Sequence, residues 1–380
     1  MEEQTSSLRA PGKSGYKKFG VALGLLLLVL LTVTLLMNRD RLTFSHLSRA
    51  IAYRNLGSSI AEEYHFSGLG SNTFVTFDNG LAVASGSGLA VYNRRGEQVY
   101  AGLALMEQPV LTTAGDFILA FDLGGRDLQI GNTQEAIRQF EADGRIIDAR
   151  INENGWVTVS SEQIGTLGFV RVYDPQGRPR LNLRSRDGHL IAAALAADNR
   201  TLVTLSMNED GGRVAWFYID VEGEHVQHEH IEPGEVFFDF WFTSTNGAVG
   251  AISGNMVRYL SNTGVRQGEY RFHDRHLRAY DVDAPNVALH ISPHLTGAGG
   301  ELVRVEPEGM VHSTLVEGNL FDISLRGRYI AALFFDRLVV YRNGRVYATF
   351  RDTEGMNRVL MREDGTVFRL SSHRARLLVP

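Results

Sequence analysis

The sequence predicts an all-β domain, a β-propeller of eight blades with seven as the alternative, behind one transmembrane helix and a short juxtamembrane helix. Three observations carry that expectation. A strand, a tight polar turn and a return strand recur every 35 to 46 residues along most of the chain. The 40 glycines against 9 prolines supply the positive-φ corners that many short hairpins need. One apolar run of bilayer length stands near the N-terminus. With 44% hydrophobic and 21% charged residues the chain has the composition of a folded protein rather than a disordered one.

The elements follow in order. Residues 1–18 form a basic tail with Arg9, Lys13, Lys17 and Lys18. Residues 19–38, FGVALGLLLLVLLTVTLLMN, contain no ionisable side chain. At about 1.5 Å per residue such a helix spans roughly 30 Å, the hydrocarbon thickness of a bilayer. A cleaved signal peptide would have a shorter apolar region and a small-residue cleavage site, whereas this run ends in LMNRDR. Basic residues flank both ends, so length decides orientation: a short basic tail stays in the cytoplasm while a large domain is translocated regardless of its charge. From Arg39 onward 34 arginines face 41 acids, a net −7 that suits an extracytoplasmic domain. Residues 39–70 contain a predicted helix from Ser45, placed as N-cap, to Leu56, stopped by Gly57, and then a linker.

Residues 71–380 show no helical apolar period, only short apolar or alternating runs bounded by glycine and Asn/Asp corners. Hairpins such as LAVYNRRGEQVY, VRVYDPQGRPRL and VVYRNGRVYATF place turn glycines at Gly96, Gly177, Gly223, Gly264, Gly309 and Gly344. A degenerate copy without the glycine falls between Ile130 and Phe140. An apolar strand pair precedes each hairpin, so each unit has four strands, as a propeller blade does. Units start near Asn72, Pro109, Arg145, Leu190, Val236, Arg278, Leu320 and Arg358. The last is a strand short, and the segment Tyr64 to Ser67 can supply the missing one. A pair of β-sandwiches, the structural rival, has no reason to repeat at this period.

Chemistry is sparse. With no cysteine there is no disulfide, thiolate nucleophile or Cys-ligated metal, and a net charge of −5 offers nucleic acid no bulk attraction. No P-loop, G-x-G-x-x-G helix opening or G-x-S-x-G elbow is present. His225, His228 and His230 in HVQHEH put two imidazoles on one strand face, fewer than a metal site needs, and read as solvated edge residues. Acid pairs such as Asp281 with Asp283 read as water-facing turn carboxylates. The expectation is therefore no metal, no cofactor and no catalytic residue. The residues offered for binding are Trp241, within the aromatic run VFFDFWF, and the loop residues His273, Arg275, His276 and His294.

The chain resembles a family of bacterial membrane proteins known as domain of unknown function 5711. The likeness rests on the tail and membrane run, on TFSHLSRAIAYRNLG, AFDLGGRDL, RIIDARINENGWVTVSSE leading to VRVYDPQGR, and LIAAALAADNRTLVTLSM. It implies a single-pass anchor and an extracytoplasmic propeller-like domain, and it implies no activity. The function expected is a membrane-anchored binding or scaffold module for an envelope protein or ligand, without nucleic acid. The alternatives are a quinoprotein-like or hydrolytic propeller with titratable groups converging in its channel, and a sensor acting through the single helix.

Overall fold

In the computed structural model, residues 60–66, 71–77, 80–220, 225–351, 353 and 355–380 are described. The predicted transmembrane helix (19–38) and juxtamembrane helix lie outside them. Among the described residues no helix is long and apolar enough to cross a membrane.

Alternating apolar runs make each four-strand unit a two-faced sheet, and both faces must be covered. Stacking the sheets side by side solves this, and the strands of the described residues form six four-stranded sheets and one of seven. The seven-stranded sheet is two blades joined by one long strand, Val311–Arg326, which pairs with one blade up to Asn319 and with the next from Leu320. Eight blades result. Their inner strands begin at Thr73, Pro109, Ile146, His189, Phe237, His276, Leu320 and Arg358, each within two residues of the start read from sequence.

Every blade is an antiparallel meander, so its strands are named inner, second, third and outer in chain order. The five turn glycines within the described residues, Gly96, Gly177, Gly264, Gly309 and Gly344, have φ between 74° and 78°. Those angles strain any side chain bearing a Cβ. Blade 8 takes its outer strand from the other end of the chain: Ile60–His65 pairs antiparallel with Arg374–Leu378. The first described strand of the propeller is thus Ile60–His65, ahead of residue 71, within the compact unit Gly57–Pro380. The reason is that strand pairing through the first blade-forming residues closes the ring, and Tyr64 is fully buried against Tyr92 and Phe368 in doing so.

The core lies between blades. Val203, Leu205, Val214 and Trp216 of blade 4 pack on Phe240, Val249, Ala251 and Leu260 of blade 5, and comparable clusters occupy six more junctions, from blades 1 and 2 round to blades 7 and 8. Each such side chain contributes about 1.5–3 kcal/mol on burial, which holds the ring without a cross-link.

Two consequences of the meander position the candidate site. The second-to-third loops and the blade-to-blade connections gather at one end of the unit, here called the connection face. The first-to-second and third-to-outer hairpins gather at the other, the hairpin face. In blades 3 to 7 the inner strand also carries one extra residue near its connection-face end: Ile147, Ile191, Phe238, Arg278 and Phe321 have no partner across the ladder. A bulge of this kind turns the residue out of the ladder and re-aims its neighbours.

Candidate functional site

Just past three of these bulges stands an aspartate, Asp148, Asp239 and Asp322, each interrupting an apolar run. The inner strands line the centre of the ring, so these carboxylates meet there with groups from other blades. Arg150 of blade 3 donates from Nε to Asp148 Oδ2 at 2.8 Å and from Nη2 to Asp239 Oδ1 of blade 5 at 2.7 Å. Its guanidinium also lies 4.6 Å from the Phe240 ring centroid. Blade 4, whose inner strand carries Ala192, Ala193 and Ala194, stands between these two. Tyr280 of blade 6 donates its hydroxyl to the other Asp239 oxygen at 3.0 Å.

On the other side of the ring the carboxylates fasten neighbours together. Asp281 of blade 6 accepts from Leu325 N at 2.6 Å and from Ser324 Oγ at 3.0 Å on blade 7. Asp283 accepts from Gly327 N at 2.6 Å. Asp322 of blade 7 accepts from Val359 N of blade 8 at 2.8 Å, and Met361 N donates to Ser324 Oγ at 3.0 Å. A cavity of about 260 Å³ lies among these inner strands, lined by Thr73, Leu111, Tyr280, Asp281, Asp322 and Arg358 among others.

Enclosure by protein sets the protonation behaviour of this girdle. Burial pushes the Asp281 carboxyl up to about 6, although the Leu325 N–H and Ser324 hydroxyl pull the other way. Burial likewise raises Asp148, against the pull of Arg150, and Asp322, against the Val359 N–H. Tyr280 is raised by burial and by Asp239 beside it. Burial disfavours charge on Arg150, but Asp148 and Asp239 outweigh it and hold the guanidinium protonated. Titratable groups from five blades thus converge at the channel, yet the aspartates are engaged by arginine, hydroxyl or backbone N–H donors. Among the described residues no set of three or more His, Asp or Glu is placed to hold a metal ion.

The connection face has a different character. Leu105 of the connection between blades 1 and 2, Ile164 of blade 3, Leu295 of blade 6, and Phe321 and Phe335 of blade 7 are each more than half exposed. Phe321 and Phe335 stand as a pair with ring centroids 6.3 Å apart. The hairpin face carries less of this kind, with Val265, Met310 and Val346 its well-exposed large apolar residues among those described.

The residues offered from sequence divide accordingly. His273, Arg275 and His276 lie in or beside the connection between blades 5 and 6, and exposed His294 lies in the second-to-third loop of blade 6, so the four share the connection face. Arg275 is held there by Phe272 O at 2.7 Å and an ion pair to Glu301 at 3.2 Å. Trp241 does not join them. It is 7% exposed, donates from Nε1 to Pro285 O at 3.2 Å and stacks edge-on against Tyr259, because its position in the strand points it into the junction of blades 5 and 6. Two readings of polar residues need correction. Asp281 and Asp283 are not simply water-facing turn carboxylates: both are half-buried and fasten blade 7. His230 is not a solvated edge residue: it contacts Glu232 at 3.1 Å, and Glu232 also holds the buried Arg258 of blade 5. Burial pushes the Glu232 carboxyl up, but His230, Arg258 and Arg266 together bring it below its ordinary value. What sequence reading missed was Asp148, Asp239 and Asp322, whose signal is an aspartate following two apolar residues in IID, FFD and LFD.

Among solved structures the chain is similar to the C-terminal WD40 domain of Sif2, with a TM-score of 0.58 and 14% identity over 85% of this chain and 96% of that one. That identity speaks to the fold alone. No curated protein matches the chain. The sequence model of a family described as a family of unknown function (DUF5711) matches residues 53–229, from ahead of the closing strand into blade 4. Over those residues the chain is a match to DUF5711, the family its sequence phrases resemble.

Proposed function

We propose that this chain is a membrane-anchored binding module: residues 19–38 span the bilayer, the propeller lies outside the cytoplasm, and its connection face docks an envelope protein. The observation that carries the reading is the gathering of exposed Leu105, Ile164, Leu295, Phe321 and Phe335 on that one face. Large apolar side chains left in water on loops of a rigid scaffold mark contact surfaces. A non-enzymatic role fits the channel as well, since its carboxylates are spent on ties between blades.

The test combines position and side. A photo-reactive residue at position 105 or 335 should cross-link a reproducible partner in intact membranes, and Leu105→Asp with Phe335→Asp should abolish capture while Val265→Asp on the hairpin face leaves it intact. Equal capture by all three variants would overturn the docking face. Protease added to intact cells should cleave the propeller; complete protection would overturn the orientation.

A further inference from the structure

One register position on the third strand of each blade points at the next blade. In blade 4 it is Trp216, paired with Val203 of the second strand. Its indole crosses to blade 5, donates from Nε1 to Gly247 O at 2.7 Å and packs beside Gly264, so it fills the gap between the hairpin turns of that blade. In blade 5 the position is Tyr259, and in blades 3 and 7 it is Val172 and Val340, all buried. In blade 6 it is Arg304, paired with Ala288.

Arg304 makes the counterpart of the tryptophan's hydrogen bond, donating from Nη1 to Gly327 O of blade 7 at 2.7 Å. It does not fill the counterpart of the tryptophan's space. Gly327 and Gly344, the equivalents of Gly247 and Gly264, now border a cleft of about 420 Å³ floored by Leu302, Ile330 and Tyr341. Arg304, His312 and Arg328 bring positive or protonatable groups to its wall, against one acid, Glu306. The buried Nε of Arg304 lies 3.5 Å from Glu306 Oε1 and makes no hydrogen bond.

We propose that this cleft binds a small organic anion with a flat apolar body. The anionic group pairs with the Arg304 guanidinium, and the body rests on Leu302, Ile330 and Tyr341 in the space that an indole fills between blades 4 and 5. The volume falls in the range of small-molecule sites, and an apolar floor with a few placed polar or charged groups is their usual lining. A planar guanidinium suits a carboxylate better than an ammonium does. The cleft opens among the hairpin turns, away from the connection face, so the inference stands apart from the docking role proposed above.

The test uses the full chain in detergent with 2-naphthoate as probe and naphthalene-2-carboxamide as its neutral counterpart, read by calorimetry and by saturation-transfer NMR. Saturable naphthoate binding is expected, at least about tenfold weaker for the carboxamide and for Arg304→Leu, and partly restored by Arg304→Lys. Arg304→Trp, which supplies the wedge of blade 4, should abolish binding with an unchanged or raised Tm. Absence of saturable naphthoate binding to the unaltered chain, equal affinity for the carboxamide, or undiminished binding to Arg304→Trp would each overturn the proposal. If Arg304→Trp fails to fold, the carboxamide comparison and Arg304→Leu still decide it.

Discussion

Asp281 shows how one residue can be visible in a sequence and yet be misread from it. As the second of four residues in YDVD it looks like a turn carboxylate, but it accepts hydrogen bonds from Leu325 and Ser324 of the next blade inside the ring. With its pKa raised to about 6 from an ordinary 3.8, the native chain keeps a proton between roughly pH 4 and 6 that the unfolded chain gives up. This group therefore favours folding most below about pH 4 and loses that contribution as pH rises through 6, by up to about 3 kcal/mol. Asp281→Asn keeps an acceptor oxygen for both donors and removes the titration. Its melting temperature should change less between pH 5 and 7 than that of the unaltered chain, and an identical pH dependence would refute the assignment. Asp148, Asp239 and Asp322 escape notice for a related reason: their apolar neighbours are legible, but the partners of Asp239 and Asp322 lie 36 to 89 residues away.

At the scale of elements, the inner strands do two things at once. Their bulges break the ladder in blades 3 to 7, and the residues that follow reach across the ring. Arg150 binds together two blades that are not neighbours, so its loss leaves Asp148 and Asp239 enclosed without a counter-charge. Arg150→Leu should destabilise the propeller by about 3–5 kcal/mol in urea unfolding. Adding Asp148→Asn and Asp239→Asn should recover a large part of that loss, because the neutral amides need no cation; a triple variant as unstable as the single one would show that packing, not charge, is at stake. Strand positions were legible because alternation and turn glycines are local signals. The bulges were not, because an extra residue leaves no mark in a single strand and appears only against its partner.

For the whole molecule, closure is the decisive step. The outer strand of blade 8 comes from Ile60–His65, and pairing of the two chain ends ties the first and last blades into one ring. A fragment of residues 57–380 should unfold in one sharp transition, whereas 71–380, which lacks that strand and the buried Tyr64, should aggregate or melt more than about 10 °C lower. Equal melting temperatures for the two fragments would mean that closure contributes little. The sequence by itself favoured eight four-strand units over seven and placed their starting points and the end of the chain that completes the last one. It could do so because hydrophobic alternation, turn glycines and repeat length are properties of neighbouring residues. Only the tertiary structure decided that Arg150 meets Asp239, that Trp241 is a core wedge, and that Arg304 stands where blade 4 has Trp216. Each of those depends on which strand faces which after the ring closes, and side chains so far apart in the chain have no local chemistry to announce their meeting.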